Sequence, residues 1–308
     1  MTPLRAFGEV RIGREKGSIS AEEMIAGAAD CQGLLVTPGE SITKGILDQL
    51  EHLTALSTFS VGFNHIDIAE CTRRKIGVGN TPDVLTDATA ELAMTLILAV
   101  ARRVVEGDQM VRKQLWRGWE PMDFLGSPVT GKTLGIIGAG RIGMRTAQMA
   151  CGFDMPIIYT SRHPKPDFER MCGAKRMALP ELLQQSDFVS IHAPLTPETR
   201  HMIGRAQLAM MKPTAFLINT SRGPLVDEEA LLEALKNNRI AGCGLDVYEN
   251  EPRLTPGLAE MPNAVLLPHV GSATLKTRSK MAVMAAENLI AALSGVRPPH
   301  CVNPEVYS

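Results

Sequence analysis

Three side chains with complementary chemistry each follow a short apolar run in the second half of the chain. They are a guanidinium (Arg222), a carboxylate (Glu251) and an imidazole (His269). The preceding runs, each typical of a buried strand, are Ala215–Ile218, Gly242–Leu245 and Val265–Leu267. An arginine can bind a carboxylate, a histidine can donate a proton, and a glutamate can stabilise the imidazolium. Such a set suits the reduction of a carbonyl that neighbours a carboxylate.

Each of these residues alone also has an ordinary structural interpretation. Arg222 could cap a turn, Glu251 before Pro252 could be a turn residue, and a single histidine such as His269 is more often a satisfied core residue. Since ligands of parallel sheets bind beyond the carboxyl ends of the strands, three such residues at strand ends favour a catalytic set.

A glycine-rich turn provides the second chemical signal. The apolar run Leu134–Ile137 leads into GAGRIG, and a helix-period pattern continues through Met149. The first glycine of such a motif permits a tight turn, the second lets the backbone approach a pyrophosphate, and the third lets the helix pack against the strand. We therefore predict dinucleotide binding. The expected contacts are Gly138, Gly140, Arg141, Ile142 and Gly143.

The next apolar run, Pro156–Thr160, indicates which dinucleotide is preferred. A site for NAD usually carries an acidic residue at the end of this strand, to bind the ribose 2′-hydroxyl. Here Ser161 and Arg162 follow instead, and Asp167 lies beyond two prolines. Both side chains suit a 2′-phosphate, so we expect a preference for NADP(H), with NAD(H) remaining open. The alternative interpretation is a solvated basic loop.

Composition excludes several classes of protein. The 308 residues suffice for two domains, and 32 basic against 33 acidic side chains predict binding neither to nucleic acid nor to an anionic membrane. The longest apolar stretch, Leu92–Ala101, is too short to span a bilayer, and the N-terminus lacks the pattern of a signal peptide. Six scattered cysteines without metal-ligand spacing indicate reduced thiols of a cytoplasmic protein and no metal site.

Alternating apolar patterns predict the elements that position these residues. The first 80 residues predict small α/β units, with strands at Phe7–Ile12, Gly33–Thr37 and Leu56–Val61 and helices at Ala21–Ala29 and Ile46–Glu51. A turn-rich edge at Gly77–Asp83 precedes a long helix at about Val84–Glu106, and residues 107–130 are irregular. From Thr133 strands and helices alternate, which predicts a doubly wound parallel sheet. The strands are Leu134–Ile137, Ile157–Thr160, Phe188–Ile191, Ala215–Ile218, Gly242–Leu245 and Val265–Leu267.

Seven motifs carry a resemblance to a known family. They are SVGFNHID (Ser60–Asp67), TPDVLTDATAELA (Thr81–Ala93), GAGRIG, HAPLTPET (His192–Thr199), INTSRGPLVDEEAL (Ile218–Leu231), GLDVYENEP (Gly244–Pro252) and LPHVGSAT (Leu267–Thr274). Over nearly its whole length the chain resembles the D-2-hydroxyacid dehydrogenases. The TPDVLTDATAELA run and the YTSR strand end are most similar to the glyoxylate/hydroxypyruvate reductase branch.

The resemblance implies a division of the chain. We expect a Rossmann-type dinucleotide-binding domain at residues 83–274 and a smaller, flavodoxin-like α/β substrate domain at residues 1–82 and 275–308, completed by the last helix, Leu275–Leu293. It also implies a homodimer. Members of the family begin with one more strand and helix before the counterpart of Phe7–Ile12, so we expect the small domain to lack a strand.

The resemblance also implies roles for individual residues. Arg222, Glu251 and His269 would be the catalytic set, and the backbone N–H groups of Val61 and Gly62 would join Arg222 and His269 in binding substrate. Asp246 would hold the nicotinamide carboxamide. His192 would pack near the adenosine without a catalytic role. Further expected cofactor contacts are Thr86, His192, Pro194, Thr199, Thr220, Gly271 and Ser272.

We therefore expect NADPH-dependent reduction of glyoxylate, hydroxypyruvate or a similar small 2-oxo acid to the D-2-hydroxy acid, with His269 as general acid/base. Two alternatives stay open. One is an NAD-linked phosphoglycerate or D-lactate type of dehydrogenase, which the absent acid after the second strand disfavours. The other is a nucleotide-sensing, corepressor-like binding protein that keeps the same three residues.

Overall fold

The computed structural model describes residues 2–14, 17 and 19–308, and the chain divides into two compact units. One unit comprises Met1–Leu85 with Ala273–Ser308, and the other comprises Thr86–Ser272. The division expected from the sequence placed the two boundaries after residues 82 and 274. Each unit is built on its own parallel sheet, as the fold-class prediction states.

The larger unit contains a seven-stranded parallel sheet. Its strands are β4 (Leu134–Ile137), β5 (Ile157–Thr160), β6 (Lys175–Arg176), β7 (Phe188–Ile191), β8 (Phe216–Asn219), β9 (Gly242–Leu245) and β10 (Ala264–Leu266). The strand order is β10-β9-β8-β7-β4-β5-β6. The order therefore reverses between β4 and β7, which is where doubly wound sheets bind their ligands.

Helices cover both faces of this sheet. They are α5 (Thr86–Ala101), α7 (Arg141–Ala150), α8 (Pro166–Cys172), α9 (Leu179–Gln185), α10 (Arg205–Met210) and α11 (Glu228–Lys236). A further helix, α6 (Val104–Arg112), follows α5 and buries none of its residues. The side chains of β4 alternate between two cores, with Leu134 and Ile136 in one and Ile137 in the other. Burial on both faces explains why the strands of this sheet are continuous apolar runs in the sequence.

The smaller unit contains a three-stranded parallel sheet in the order β1-β2-β3. The strands are β1 (Gly33–Val36), β2 (Ala55–Thr58) and β3 (Gly77–Gly79), and the helices are α1 (Thr2–Phe7), α2 (Ala21–Ala28), α3 (Lys44–Leu47), α4 (Ile68–Arg73) and α12 (Leu275–Leu293). Leu289 of α12 and Ala55 of β2 share a core cluster, so the C-terminal helix covers one face of this sheet. The predicted last helix is confirmed at its exact bounds.

Several predictions for the N-terminal half are wrong. The helix predicted at Ile46–Glu51 lies at Lys44–Leu47, and the stretch predicted to be irregular from residue 107 begins inside α6. Phe7–Ile12 is not a strand, because α1 ends at Phe7 and the residues after it have no regular structure; both Phe7 and Ile12 are exposed and gain nothing from a pleated conformation. The turn-rich edge at Gly77–Asp83 contains β3. The long helix of Val84–Glu106 is interrupted after Ala101, where Arg103 adopts a left-handed backbone (φ 54°) before α6 begins.

Candidate active site

The three candidate catalytic residues follow three adjacent strands of the larger sheet. Arg222 follows β8, Glu251 follows β9 and His269 follows β10. Asn219, the last residue of β8, shapes the first turn: its side-chain oxygen accepts from the Ser221 N–H (3.0 Å) and its amide donates to the Arg222 carbonyl oxygen (2.9 Å). The sheet topology thus brings to one edge residues that lie far apart in the sequence.

Glu251 and His269 form a hydrogen-bonded pair. The His269 Nδ1 atom lies 2.8 Å from Glu251 Oε2, and Glu251 Oε1 accepts from the Tyr248 N–H (3.0 Å). Because a carboxylate can only accept, we assign the donated proton to Nδ1. The Nε2 atom is then the ring nitrogen that can exchange a proton with a substrate. The two side chains are 35% and 36% exposed, so solvent reaches the pair.

The electrostatics of the set favour a charged carboxylate. Burial acts to raise the pKa of Glu251, but the hydrogen bond and charge of His269, with smaller contributions from the Tyr248 N–H and Arg222, lower it below its usual value. Burial lowers the pKa of Arg222, and the charge of Glu251 partly opposes this change. Arg222 keeps its positive charge near neutral pH, because arginine starts from a very high pKa.

Asp246, directly after β9, supports the backbone that follows His269. Its two carboxylate oxygens accept from the N–H groups of Val270 (2.7 Å) and Gly271 (2.8 Å). His269 itself adopts a left-handed backbone conformation (φ 52°), which is costly for a residue with a side chain. The buried carboxylate therefore helps to hold the strained turn that presents the imidazole. Burial raises the pKa of Asp246, and the two N–H donors partly oppose this.

Glu228, which the sequence analysis did not single out, holds the segment that carries Glu251. The residue is 2% exposed. One oxygen accepts from the Glu249 N–H (2.5 Å) and the other from the Thr255 hydroxyl (2.7 Å). Glutamate in the first turn of a helix is common, so its sequence position gave no sign of these contacts.

The glycine-rich turn has the geometry predicted for a phosphate-binding site. Gly138 has φ 96°, and a Cβ there would lie 2.7 Å from the His192 carbonyl carbon. A Cβ on Gly143 would lie 2.3 Å from the Gly138 carbonyl oxygen, whereas the space beside Gly140 is open. Gly140 precedes α7 without a side-chain cap. Arg141 and Ile142 begin this helix, so its first N–H groups lie at the open turn.

The neighbouring strand end supplies a polar atom that suits a cofactor. The hydroxyl of Thr220, after β8, is buried and has no hydrogen-bond partner within the described residues. A buried polar atom without a partner is costly unless a ligand or water satisfies it. Together with the space beside Gly140, this hydroxyl fits the predicted dinucleotide.

His192 lies where β7 meets the glycine-rich turn. Its Nε2 atom lies 2.9 Å from the Ser190 hydroxyl. Burial lowers the pKa of His192 to about 4, so the ring is neutral near neutral pH. A ring that is neutral near neutral pH is poorly suited to donate a proton; its expected place near the adenosine stays a prediction.

The other expected cofactor contacts in this unit lie in structured turns or at the start of a helix. The Thr199 hydroxyl donates to the Pro194 carbonyl oxygen (2.8 Å), which fixes the turn after β7. The Thr89 hydroxyl donates to the Gly271 carbonyl oxygen (3.2 Å), which ties α5 to the turn after β10. Thr86 is the first residue of α5, and Ser272 follows Gly271.

The turn after β5 contains the two residues expected to select NADP(H). A third residue, which the sequence did not indicate, contacts this turn. Ser161 donates its hydroxyl proton to the His163 carbonyl oxygen (2.5 Å), and Arg162 is exposed. Arg176, on β6, donates to the Ser161 carbonyl oxygen (3.0 Å). The sequence offered no signal for Arg176, because a two-residue strand of basic residues has no apolar pattern.

Val61 and Gly62 belong to the smaller unit, in the turn after β2. The Asn80 side chain donates to the Val61 carbonyl oxygen (2.8 Å), and the Ser60 hydroxyl donates to the Gly62 carbonyl oxygen (2.6 Å). These bonds hold the backbone whose N–H groups are the expected substrate contacts.

No group of three or more His, Cys, Asp or Glu side chains in the described ranges, 2–14, 17 and 19–308, could hold a metal ion. Within those same ranges, no helix has the length and apolar character needed to cross a membrane.

The fold and the site define a class: an α/β protein with a dinucleotide-binding sheet and an Arg–Glu–His set at its carboxyl edge. A sequence model described as "D-isomer specific 2-hydroxyacid dehydrogenase, NAD binding domain" matches residues 94–271, more than half of the chain. The chain therefore belongs to the D-isomer specific 2-hydroxyacid dehydrogenase family, and it is an NAD(P)-dependent dehydrogenase.

Individual relatives support this assignment over almost the whole length. A glyoxylate reductase of Thermococcus litoralis is 46% identical over 99% of this chain and 93% of its own. A crystal structure of a Thermus thermophilus protein, 44% identical, aligns with a TM-score of 0.87 over 93% of this chain and 91% of its own. The NADPH-dependent glyoxylate/hydroxypyruvate reductase of Sinorhizobium meliloti, solved with NADP and malonate, is 34% identical, with a TM-score of 0.83 over 93% of this chain and 88% of its own. The family and fold-class predictions are confirmed.

Proposed function

We propose that this protein is an NADPH-dependent reductase that converts glyoxylate, hydroxypyruvate or a similar small 2-oxo acid to the D-2-hydroxy acid. The observation that carries the proposal is the Glu251–His269 pair at the same sheet edge as the partly buried cation Arg222. The glyoxylate reductase and glyoxylate/hydroxypyruvate reductase among the similar proteins support this substrate class.

In the proposed mechanism the chain binds the 2-oxo acid and moves one proton. Arg222 binds the substrate oxygens and polarises the keto group, and the N–H groups of Val61 and Gly62 hold the carboxylate. The bound reduced nicotinamide supplies the hydride. His269 donates the Nε2 proton to the keto oxygen, and Glu251 stabilises the imidazolium before this transfer. Because the pair is about one third exposed, solvent can return the proton afterwards.

The proposed cofactor contacts lie in the larger unit, for which the sequence predicts residues 83–274. The turn Gly138–Gly143 would bind the pyrophosphate, and Asp246 and Thr220 would lie at the nicotinamide end. Ser161 and Arg162 would bind the 2′-phosphate, since a cation rather than an acid follows β5. The remaining contacts would be Thr86, His192, Pro194, Thr199, Gly271 and Ser272.

A panel of 2-oxo acids, assayed with NADPH and with NADH by the absorbance of the reduced nicotinamide, tests the proposal. We expect turnover of glyoxylate and hydroxypyruvate, with kcat/KM at least about tenfold higher for NADPH, the effect of one added charge-assisted contact. Higher activity with NADH on D-lactate-type substrates would support the NAD-linked alternative instead. Tight dinucleotide binding without turnover of any 2-oxo acid would support the corepressor-like alternative.

We also propose that the protein is a cytoplasmic homodimer. All six cysteines are free, which suits a reducing compartment. The segment from Val104 to Leu125 exposes an unusual number of large apolar side chains, as expected of a surface that associates with a second copy.

A further inference from the structure

Arg176 is placed by the short edge strand β6 beside the turn that follows β5. In the parallel pairing of these strands, Arg176 lies opposite Tyr159. Its guanidinium reaches the turn, where Nη2 donates to the carbonyl oxygens of Ser161 (3.0 Å) and Arg162 (3.3 Å), and Nε also donates to the Ser161 oxygen (3.3 Å). The side chain therefore binds the backbone of both residues expected to meet a 2′-phosphate.

The rest of this turn is held from the other side. The Lys165 N–H donates to the Tyr159 hydroxyl (2.9 Å), and that hydroxyl donates to Glu169 (2.5 Å). With Arg176 at one end and Tyr159 at the other, the backbone between them is fixed before any ligand binds. Preorganisation of this kind lowers the entropic cost of binding.

The contacts of Arg176 also change the charge that an anion would meet. Carbonyl oxygens carry partial negative charge, and two of them at the tip of a turn would repel a phosphate. The Arg176 guanidinium neutralises both, while the exposed side chain of Arg162 adds its own charge. Glu198 interacts electrostatically with Arg162. Hydrogen bonds from Thr196 and from its own backbone lower the pKa of the Glu198 carboxyl, and the charge of Arg162 lowers it further.

We propose that Arg176 determines the preference of this protein for a 2′-phosphorylated adenine dinucleotide. It does so by binding the Ser161 and Arg162 carbonyl oxygens and by placing a second guanidinium behind Arg162. This role rests on the proposed NADPH preference. Arg176 would therefore change the ratio of the affinities for the 2′-phosphorylated and the unphosphorylated nucleotide, and not the rate of hydride transfer.

Calorimetric titration of the full chain with 2′,5′-ADP and with 5′-AMP tests this role without any reaction. We expect Arg176→Ala to weaken 2′,5′-ADP binding about tenfold while 5′-AMP binding changes less than about twofold, since only the former has the extra phosphate. Lys175→Ala is the matched control: it removes the same charge from the same strand, but alternation along the strand directs its side chain to the other face. This control should bind both nucleotides like the wild type.

Arg176→Lys separates charge from geometry, because lysine keeps the charge but not the fork that contacts two carbonyl oxygens. We expect it to recover only part of the lost discrimination. Should Arg176→Ala not fold, Arg176→Gln provides the same comparison.

Equal weakening of both nucleotides by Arg176→Ala, or equal effects of Arg176→Ala and Lys175→Ala, would overturn the Arg176 proposal and leave the NADPH preference intact. A wild-type protein that binds 2′,5′-ADP no better than 5′-AMP would overturn both proposals together. The two failures are therefore distinguishable.

Discussion

The His269 segment is held at two points by carboxylates that accept hydrogen bonds. Glu251 accepts from its ring nitrogen, and Asp246 accepts from the two N–H groups that follow it. The first contact sets the tautomer of the ring, while the second holds a backbone conformation that a histidine adopts at a cost. The ring therefore needs both contacts, one to fix which nitrogen carries the proton that Glu251 accepts and one to hold the backbone that positions it.

Replacing His269 with alanine should remove most of the turnover while cofactor binding stays near wild type. A positioned general acid typically contributes a factor of about 10²–10⁴ in rate, so we expect kcat to fall by about 10³. Steady-state kinetics and a fluorescence titration with NADPH measure the two quantities. The exposed His52→Ala serves as the control. Turnover like that of the wild type in the His269 variant would remove this residue from the mechanism.

His192 should make the folded state sensitive to acid. Its pKa is lowered by burial to about 4, whereas a histidine in the unfolded chain titrates near 6.5. Between these values the unfolded state binds more protons, so stability falls as the pH drops from about 6.5 to about 4, by up to about 3 kcal/mol. At higher pH both states are neutral and this effect is absent.

Urea unfolding of the wild type and of His192→Gln over pH 4.5–7.5 checks this expectation. The glutamine cannot be protonated, so we expect its loss of stability below about pH 6.5 to be smaller than that of the wild type. Other acid-sensitive groups, including Glu251, contribute equally to both proteins and cancel in the difference. Parallel pH profiles for the two proteins would contradict a His192 that stays neutral in the folded protein.

Among the secondary-structure elements, the strands whose two faces are both buried were the ones that could be predicted from the sequence. Four of the six predicted strands of the larger sheet have the predicted bounds, and the strands β8 and β10 differ by one residue at each end. Strands buried on both faces leave a continuous apolar run in the sequence. By contrast, β6 and the interruption at Arg103 depend on neighbouring elements, and their local sequence carries no comparable pattern.

Glu228 links two elements that must stay in register for the site to function. It lies in the first turn of α11 and binds the segment between Glu249 and Thr255, which contains Glu251. Glu228→Gln should lower kcat about tenfold, because the amide NH₂ faces a donor where the carboxylate oxygen accepted, and small displacements of catalytic groups are costly. Glu229→Gln, a neighbour on the same turn, should leave kcat unchanged.

Kinetics at saturating NADPH and 2-oxo acid measure this effect, with thermal unfolding in parallel. A Glu228→Gln variant with wild-type kcat would show that the segment carrying Glu251 keeps its place without the carboxylate. A fall in kcat for both variants would indicate a general effect of charge at the start of the helix.

At the scale of the whole molecule, the surface of the larger unit carries an apolar segment that its own core does not cover. The exposed side chains are Val104, Val105, Val111, Leu115, Trp116, Trp119, Met122 and Leu125. Scattered exposed apolar residues are normal, but a concentration of this size within one segment is typical of an association surface.

Charged replacements in this segment should convert the proposed dimer to a monomer. Leu115 and Trp119 are 62% and 80% exposed, so replacing both with lysine costs little in the folded monomer but disfavours burial in an interface. Sedimentation equilibrium measures the mass. Leu275→Lys, at a residue that is 88% exposed outside the segment, is the matched control and should not change it. A wild-type protein that sediments as a monomer would contradict the proposal.

The sequence alone predicts the glycine-rich turn and most strands of the larger sheet, and it singles out Arg222, Glu251 and His269 as candidates, because local composition, strand-end position and family motifs carry those signals. Which distant groups support these residues depends on the packing of the folded chain. The contacts of Asp246, Glu228 and Arg176 join residues that lie 14 to 27 positions apart, across strands and turns whose relative placement depends on packing. The sequence does not distinguish a buried carboxylate from a solvated one, because the difference between them lies in their surroundings in the folded protein.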